Sequence, residues 1–195
     1  MESAQKKFIN LYTESNPNPN SLKFVVDFLL VPESVDFPNP QSAINCPLAQ
    51  DLFRFSFVKR VFFSSNFITI TKSDDIEWEE IIPMLKSLIK GYLEEEKPLF
   101  TENKWPANDA AISATEGDSE IVSKIKVLLD EYIRPAVEQD GGAINFHSFE
   151  DGIVKVELQG SCSGCPSSTI TLKAGIENLL KKMIPEITEV IAING

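Results

Sequence analysis

A stretch without periodicity divides this chain and sets the size of what can fold on either side. From Pro98 to Asp118 the sequence mixes proline, Asn-Asp, alanines and Thr-Glu-Gly-Asp, with no apolar residue recurring at helix or strand spacing. This composition is typical of a linker between domains. A chain of 195 residues leaves room for one small domain on each side. The prediction is therefore two α+β domains, at residues 1–97 and 119–195, joined by a linker over 98–118.

The first piece shows both strand and helix patterns. A mostly apolar run at 22–30 predicts a strand, and residues 61–71 predict a β-hairpin around Ser64-Ser65-Asn66. Pro47 indicates a short helix, and Ser73-Asp74-Asp75 indicates the start of a longer one. The dense phenylalanines are interpreted as core, with an exposed patch for a partner as the alternative. They are Phe53, Phe55, Phe57, Phe62, Phe63 and Phe67.

The second piece predicts an α-β-β-α-β order. An amphipathic helix begins after an N-cap at Asp118 or Ser119, and Pro135 should kink or end it. Turn residues at 140–142 and 150–152 bracket a hairpin with alternating apolar residues. A helix over about 166–184 follows, with Leu172, Ile176, Leu179, Leu180 and Met183 as its buried stripe. A last strand is expected at about 188–193.

Only three cysteines occur, Cys46, Cys162 and Cys165, and two of them form a Cys-x-x-Cys pair. So few cysteines do not make a disulfide framework, and such a pair indicates metal or redox chemistry. The pair lies in a predicted strand-to-helix loop, where the N-terminus of the helix favours a thiolate at Cys165. Ser161 and Ser163 could donate hydrogen bonds to the sulfurs. Cys46 is interpreted as a small apolar residue beside a helix start, and His147 as a strand residue rather than a ligand.

Two thiolates do not complete a metal shell. Iron–sulfur clusters usually take four cysteines, and structural zinc also takes four ligands. The simplest completion is two chains that meet at their Cys-x-x-Cys loops around one exposed, shared cluster. Four sulfurs would serve a [2Fe–2S] as well as a [4Fe–4S] centre. The alternatives are a thiol–disulfide oxidoreductase, structural zinc, and two buried core cysteines. The antiparallel hairpin before the motif argues against an oxidoreductase, which is expected in a βαβ context.

The second piece resembles the C-terminal domain of NifU-like (Nfu-type) iron–sulfur proteins. The resemblance is carried by Asp140-Gly141-Gly142, by Glu150-Asp151-Gly152, by residues 160–168, and by 170–172 and 175–177. The first piece resembles the N-terminal domain found in one branch of that family, at residues 16–24, 47–49 and 67–72. Together these matches extend over nearly all of the chain outside the linker.

The resemblance implies a scaffold or carrier in iron–sulfur cluster assembly. It implies that a homodimer binds a [4Fe–4S] cluster between its two subunits through Cys162 and Cys165. It also implies an upstream cluster donor, and delivery to apo iron–sulfur client proteins. The family's N-terminal domain carries no cluster ligands, so the hypothesis for residues 1–97 is client docking.

Charge and hydropathy exclude other classes of function. The net charge of -11 is spread along the chain, so no basic surface is expected for nucleic acid. No apolar run approaches the roughly 20 residues that span a bilayer. The sequence shows no paired carboxylates, Ser–His pair or phosphate loop that would support catalysis. Residues 1–7 lack the pattern of a secretory signal or transit peptide, which predicts a cytoplasmic protein.

Overall fold

The computed structural model describes residues 8–101, 119–163 and 166–194. The chain forms two compact units, and each has its own apolar core. The combination of helices and antiparallel strands in both confirms the predicted α+β class. Leu99 and Phe100 pack against the core of the first unit, so its packed part continues past residue 97. The rest of the predicted linker, 102–118, lies outside the described residues.

The first unit is an antiparallel five-stranded sheet with two helices. Its strands lie in the order β1-β2-β5-β4-β3. The strands are β1 (Leu11–Ser15), β2 (Ser21–Val26), β3 (Val35–Phe37), β4 (Val58–Ser64) and β5 (Phe67–Lys72), and the helices are α1 (Pro47–Phe53) and α2 (Trp78–Glu94). No helix in the described part of the chain is long and apolar enough to cross a membrane.

The predicted helix after the hairpin starts later than expected. Glu77, not Ser73, is the N-cap of α2. The Ser73 N–H donates to the carbonyl of Phe57 over 2.8 Å, which keeps this part of the chain out of the helix. From Trp78 onward the helical pattern holds, since Ile81, Leu85 and Ile89 are buried in the core of the unit.

The two edge strands were not predicted. β1 alternates between half-buried and exposed residues without a strong apolar signal. β3 has only three residues, in a segment broken by prolines. An edge strand tolerates nearby prolines because one of its sides needs no ladder hydrogen bonds. The predicted core role of the phenylalanines is confirmed. Phe62, Phe63 and Phe67 are buried, and the other three pack partly buried against the core.

The second unit has the predicted α-β-β-α-β order. Helical segments α3 (Glu120–Leu128) and α4 (Arg134–Gln139) precede strands β6 (Gly142–Glu150) and β7 (Ile153–Gly160), followed by helix α5 (Pro166–Met183) and strand β8 (Glu189–Asn194). β6 and β7 are antiparallel, and β8 runs parallel to β7 after the α5 crossover. Ile176 and Leu180 of α5 are buried as predicted, but Met183 is 54% exposed, so the predicted stripe was wrong there.

The proline in the first helix of this unit does not end the helix. Ser119 caps α3, where its hydroxyl accepts the Val122 N–H over 3.2 Å. Between α3 and α4 the chain makes a π-helical turn, Leu129–Ile133. This wider turn comes just before Pro135, which has no N–H to donate and would crowd the carbonyl one turn back. The helix then resumes as α4.

The β6–β7 hairpin has a tight turn at one end and a pair of glycines at the other. Asp151 and Gly152 both have positive φ, 49° and 81°, as a two-residue type I′ turn requires. At the opposite end Gly142 pairs with Gly160. The chain enters β6 and leaves β7 at this end of the hairpin. The Cys-x-x-Cys segment, which follows Gly160, therefore begins there.

One carboxylate ties α5 to the edge strand β8. Glu177 accepts the backbone N–H of Val190 over 3.1 Å with one oxygen, and Lys181 Nζ lies 2.6 Å from the other. The hydrogen bond from Lys181 and then that from Val190 hold the pKa of Glu177 below its ordinary value. A carboxyl whose pKa is depressed on folding stabilises the fold above its unfolded pKa. That stabilisation is lost as the pH falls through the folded value.

We predict that Glu177→Gln lowers the urea midpoint of the second unit at pH 7, because the charged contacts to Val190 and Lys181 are lost. The difference from the wild type should shrink as the pH falls through the depressed pKa of the wild-type carboxyl, because that carboxyl is then protonated as well. Urea unfolding at several pH values checks both points. Glu120→Gln is the matched control, since Glu120 makes a comparable exposed pair with Lys124 at 2.9 Å. An equal loss of stability in both variants would contradict the proposed anchoring role.

Candidate metal centre

The candidate centre begins where β7 ends. Gly160 has a φ of 64°, which turns the chain out of the strand. The N–H of Ser161 then donates to the carbonyl of Gly141 over 3.2 Å, and that of Ser163 to the carbonyl of Gly160 over 3.2 Å. Helix α5 begins at Pro166, so the predicted strand-to-helix loop is present. These contacts fix the first half of the Cys-x-x-Cys loop against the start of β6.

Cys162 is more buried than the sequence suggested. Its side chain is 5% exposed and forms part of the apolar core of the second unit, although the flanking serines and glycines predicted an exposed site. The hydrogen bonds from Ser161 to Gly141 and from Ser163 to Gly160 turn the loop back on the hairpin. A bound metal would therefore require this sulfur to become accessible.

The hydroxyl of Ser161 makes two contacts at this loop, and its predicted hydrogen bond to a metal-binding sulfur stays a prediction. Its hydroxyl donates to the carbonyl of Asp140, and its Oγ lies 3.9 Å from the Sγ of Cys162. A serine hydroxyl has one proton to donate. Since that proton is directed at Asp140, the hydrogen bond to Cys162 runs from the thiol to Ser161.

Cys165, the other predicted ligand, lies outside the described residues. Among the residues that are described, no group of three or more His, Cys, Asp or Glu side chains could hold a metal ion. His147 is an exposed residue on β6, at the register shift between Phe146 and Ser148. The described residues thus offer one thiol at this loop and no other nearby set of ligands.

Cys46 is the buried small residue that the sequence indicated. It is the N-cap residue of α1, is fully buried, and belongs to the core of the first unit. Burial raises the pKa of its thiol to about 12, against a smaller opposite effect from the backbone N–H groups of Ala49 and Leu48. A protonated, covered thiol is a poor nucleophile and a poor metal ligand.

We predict that Cys46 stays unmodified when the native protein is treated with iodoacetamide at pH 7.5, because little thiolate forms more than four pH units below its pKa. Mass spectrometry of peptides with and without urea checks this, with Cys46 modified only in urea. Rapid labelling of Cys46 in the folded protein would contradict the assignment.

Sequence reasoning missed two contributors to the site. It treated residues 140–142 as a turn, yet the carbonyl of Asp140 receives the Ser161 hydroxyl and Gly142 adjoins Cys162. The usable signal was a glycine at the first residue of β6 and another at the last residue of β7, which antiparallel pairing brings together. This part of the molecule is thus a small α+β unit with a cysteine at a strand-to-helix loop, preceded by a second α+β unit.

Comparison with known protein families identifies the class. Residues 11–96 match the model described as the scaffold protein Nfu/NifU N terminal, and residues 125–191 match the NifU-like domain. The human protein named "NFU1 iron-sulfur cluster scaffold homolog, mitochondrial" is 45% identical over 93% of this chain and 70% of its own length. The Arabidopsis thaliana protein named "NifU-like protein 4, mitochondrial" is 45% identical over 94% of this chain and 65% of its own. This chain therefore belongs to the NifU-like family of iron–sulfur cluster scaffold proteins, and it spans about two thirds of the length of these relatives.

The same comparison overturns the predicted cytoplasmic location. Both relatives are named as mitochondrial, as is the relative from Drosophila sechellia, which is 44% identical over 97% of this chain and 67% of its own length. The prediction relied on the pattern of residues 1–7, which also lie outside the described residues. A short terminal pattern is weak evidence beside the names of relatives that match nearly the whole chain.

Proposed function

We propose that this protein binds a [4Fe–4S] cluster between two copies of the chain and transfers it to apo-proteins, in mitochondria as the names of its relatives indicate. The observation that carries the proposal is the position of Cys162 at the start of a strand-to-helix loop in a chain of this family. Cys162 and Cys165 are the proposed ligands. The protein acts here as a carrier and not as an enzyme.

The number of ligands supports a shared site. A cluster of this kind takes four thiolates, and one chain offers two at this loop. The described residues contain no further set of candidate ligands around it. A second copy of the same loop completes the set. Two ligands from each chain hold the cluster less firmly than four from one chain, which suits release.

Ligation requires changes at Cys162 that the local contacts permit. The thiol must lose its proton. Its sulfur, in a residue that is only 5% exposed, must also become accessible. Ser161 can then turn its hydroxyl from the carbonyl of Asp140 toward the thiolate and donate to it. Such a hydrogen bond stabilises the charged form of the sulfur. The loop thus covers the sulfur in the cluster-free chain and can donate a hydrogen bond to a thiolate in the loaded one.

Transfer is then an exchange of ligands. A thiol of the client displaces a carrier thiolate, so one iron–sulfur bond forms as another breaks. The proton of the incoming thiol passes to the outgoing sulfur. No electron is gained or lost, and the cluster keeps its charge. Repeating the exchange at the remaining ligands moves the cluster to the client.

We predict that anaerobic reconstitution of the full chain with iron and sulfide gives a brown protein with about two iron atoms per chain. Cys162→Ser and Cys165→Ser should each lose the colour and most of the iron, because half of a chain's ligands are removed. Cys46→Ser is the matched control and should load like the wild type, since Cys46 belongs to the core of the other unit. Visible absorption, iron analysis and the mass of the complex in solution check these outcomes.

Two results would contradict this function. A colourless protein that cycles between dithiol and disulfide would assign the pair to redox chemistry. Tightly bound zinc that excludes iron would assign it to a structural role. Iron bound to a monomer would contradict only the site shared between two chains, and not the binding of a cluster.

The first unit is proposed to dock client proteins or cluster donors. It has its own core of buried residues and matches the family's N-terminal model, which supports a role separate from ligation. Removing residues 1–97 should leave iron loading through Cys162 and Cys165 but slow transfer to some clients. The measurement is the rate of client activation by loaded full chain and by loaded truncated chain. Equal rates for every client would contradict the docking role.

A further inference from the structure

Gly142 lies directly beside the sulfur of Cys162. A Cβ atom added to Gly142 would come within 2.8 Å of the Sγ of Cys162 and 3.2 Å of its Cβ. Distances below 3.0 Å are not sustained by real side chains, so one of the groups would have to move. The Cys162 side chain thus fills the space that any residue other than glycine would need at 142.

The backbone around Gly142 prevents an added methyl group from turning away. The same Cβ would lie 2.6 Å from the carbonyl oxygen of Gln159. That oxygen belongs to β7, which is held by the pairing of Gly142 with Gly160 and of Ala143 with Gln159. Moving this carbonyl would disturb the hairpin ladder, whereas the Cys162 side chain stands at the start of a loop. Of the two clashing groups the carbonyl is the closer, but the sulfur is the one that can move without disturbing the ladder.

The requirement for glycine at this position is spatial. Gly141 and Gly160 have positive φ values of 81° and 64°, so the backbone itself favours glycine there. The φ of Gly142 is outside the left-handed region. An alanine could adopt this backbone, and only the sulfur and the carbonyl exclude it.

We propose that Gly142 is a positioning residue for Cys162 and that its missing side chain sets where the sulfur stands at the end of β7. The inference extends the proposed function, because a displaced sulfur is a misplaced ligand. Metal sites tolerate only small errors in ligand position. Since each chain supplies two ligands, misplacing one should affect loading strongly.

The first test measures the thiol without any metal. In a Cys46→Ser/Cys165→Ser background Cys162 is the single cysteine, and its alkylation rate by iodoacetamide reports its accessibility. Gly142→Ala should raise this rate at least about tenfold, since the sulfur is pushed out of its covered position. Gly175→Ala is the matched control, because a Cβ there meets nothing within 4 Å. It should stay within about twofold of its parent.

The second test separates displacement of the sulfur from general loss of stability. Gly142→Ala should lower the urea midpoint, and it should lower it less in a Cys162→Ala background, where the sulfur no longer occupies the space. In the otherwise unaltered full chain, Gly142→Ala should retain less than about half of the iron that wild type and Gly175→Ala retain after reconstitution.

The outcomes of these tests are distinguishable. The inference is overturned if Gly142→Ala leaves the alkylation rate unchanged and lowers the urea midpoint equally in both backgrounds. It is also overturned if the folded variant loads iron like the wild type. If the wild type itself takes up no iron, the proposed function fails. The alkylation rates and the urea midpoints would still decide whether Gly142 positions Cys162.

Discussion

The close approach of β6 and β7 at the Gly142–Gly160 pair is the constraint on which the candidate centre depends. It brings Asp140 and Gly141, which precede β6, within reach of the loop that follows β7. Ser161 in that loop therefore bonds both to Gly141 and to Asp140. The sulfur of Cys162 takes the space left by the missing side chain of Gly142. Without this approach the loop would have no contact that fixes where its first cysteine stands.

Under the proposed function, the cover over the buried sulfur of Cys162 must open before a cluster can bind. Burial of a side chain of this size contributes about 1 kcal/mol. The hydrogen bond to Ser161 contributes about another 1 kcal/mol at most, since a thiol is a weak donor. Local openings that cost a few kcal/mol occur readily in folded proteins. The cover can thus protect the sulfur in the cluster-free chain while yielding to iron, which forms stronger bonds.

The sequence predicted the elements around the site well and the packing inside it poorly. Periodicity located α5 and the β6–β7 hairpin, because each buries one regular face. It misplaced the start of α2, where the Ser73 N–H bonds to Phe57 from a distant part of the chain. It also missed β3, whose three residues pair with β4 despite flanking prolines. In both cases a contact remote in sequence overrode the local signal.

The same limit explains the error about Cys162. Serine and glycine neighbours predict exposure because small polar residues usually lie in loops, and the loop is indeed present. Whether a loop turns back on its sheet depends on hydrogen bonds such as that from Ser161 to Gly141, which have no local sequence signature.

Burial alone does not distinguish Cys46 from Cys162, since both side chains are buried. Cys46 begins a helix within a core of twenty-odd apolar side chains, and burial raises the pKa of its thiol to about 12. Releasing it would require opening the first unit. Cys162 belongs to the second core and stands two residues after the end of β7 at Gly160. Under the proposed function, the residues after Gly160 must move to expose this sulfur, while the ladder of β6 and β7 can stay paired. The proposed difference between the structural thiol of Cys46 and the ligand thiol of Cys162 is therefore how much of the fold must move to reach each sulfur.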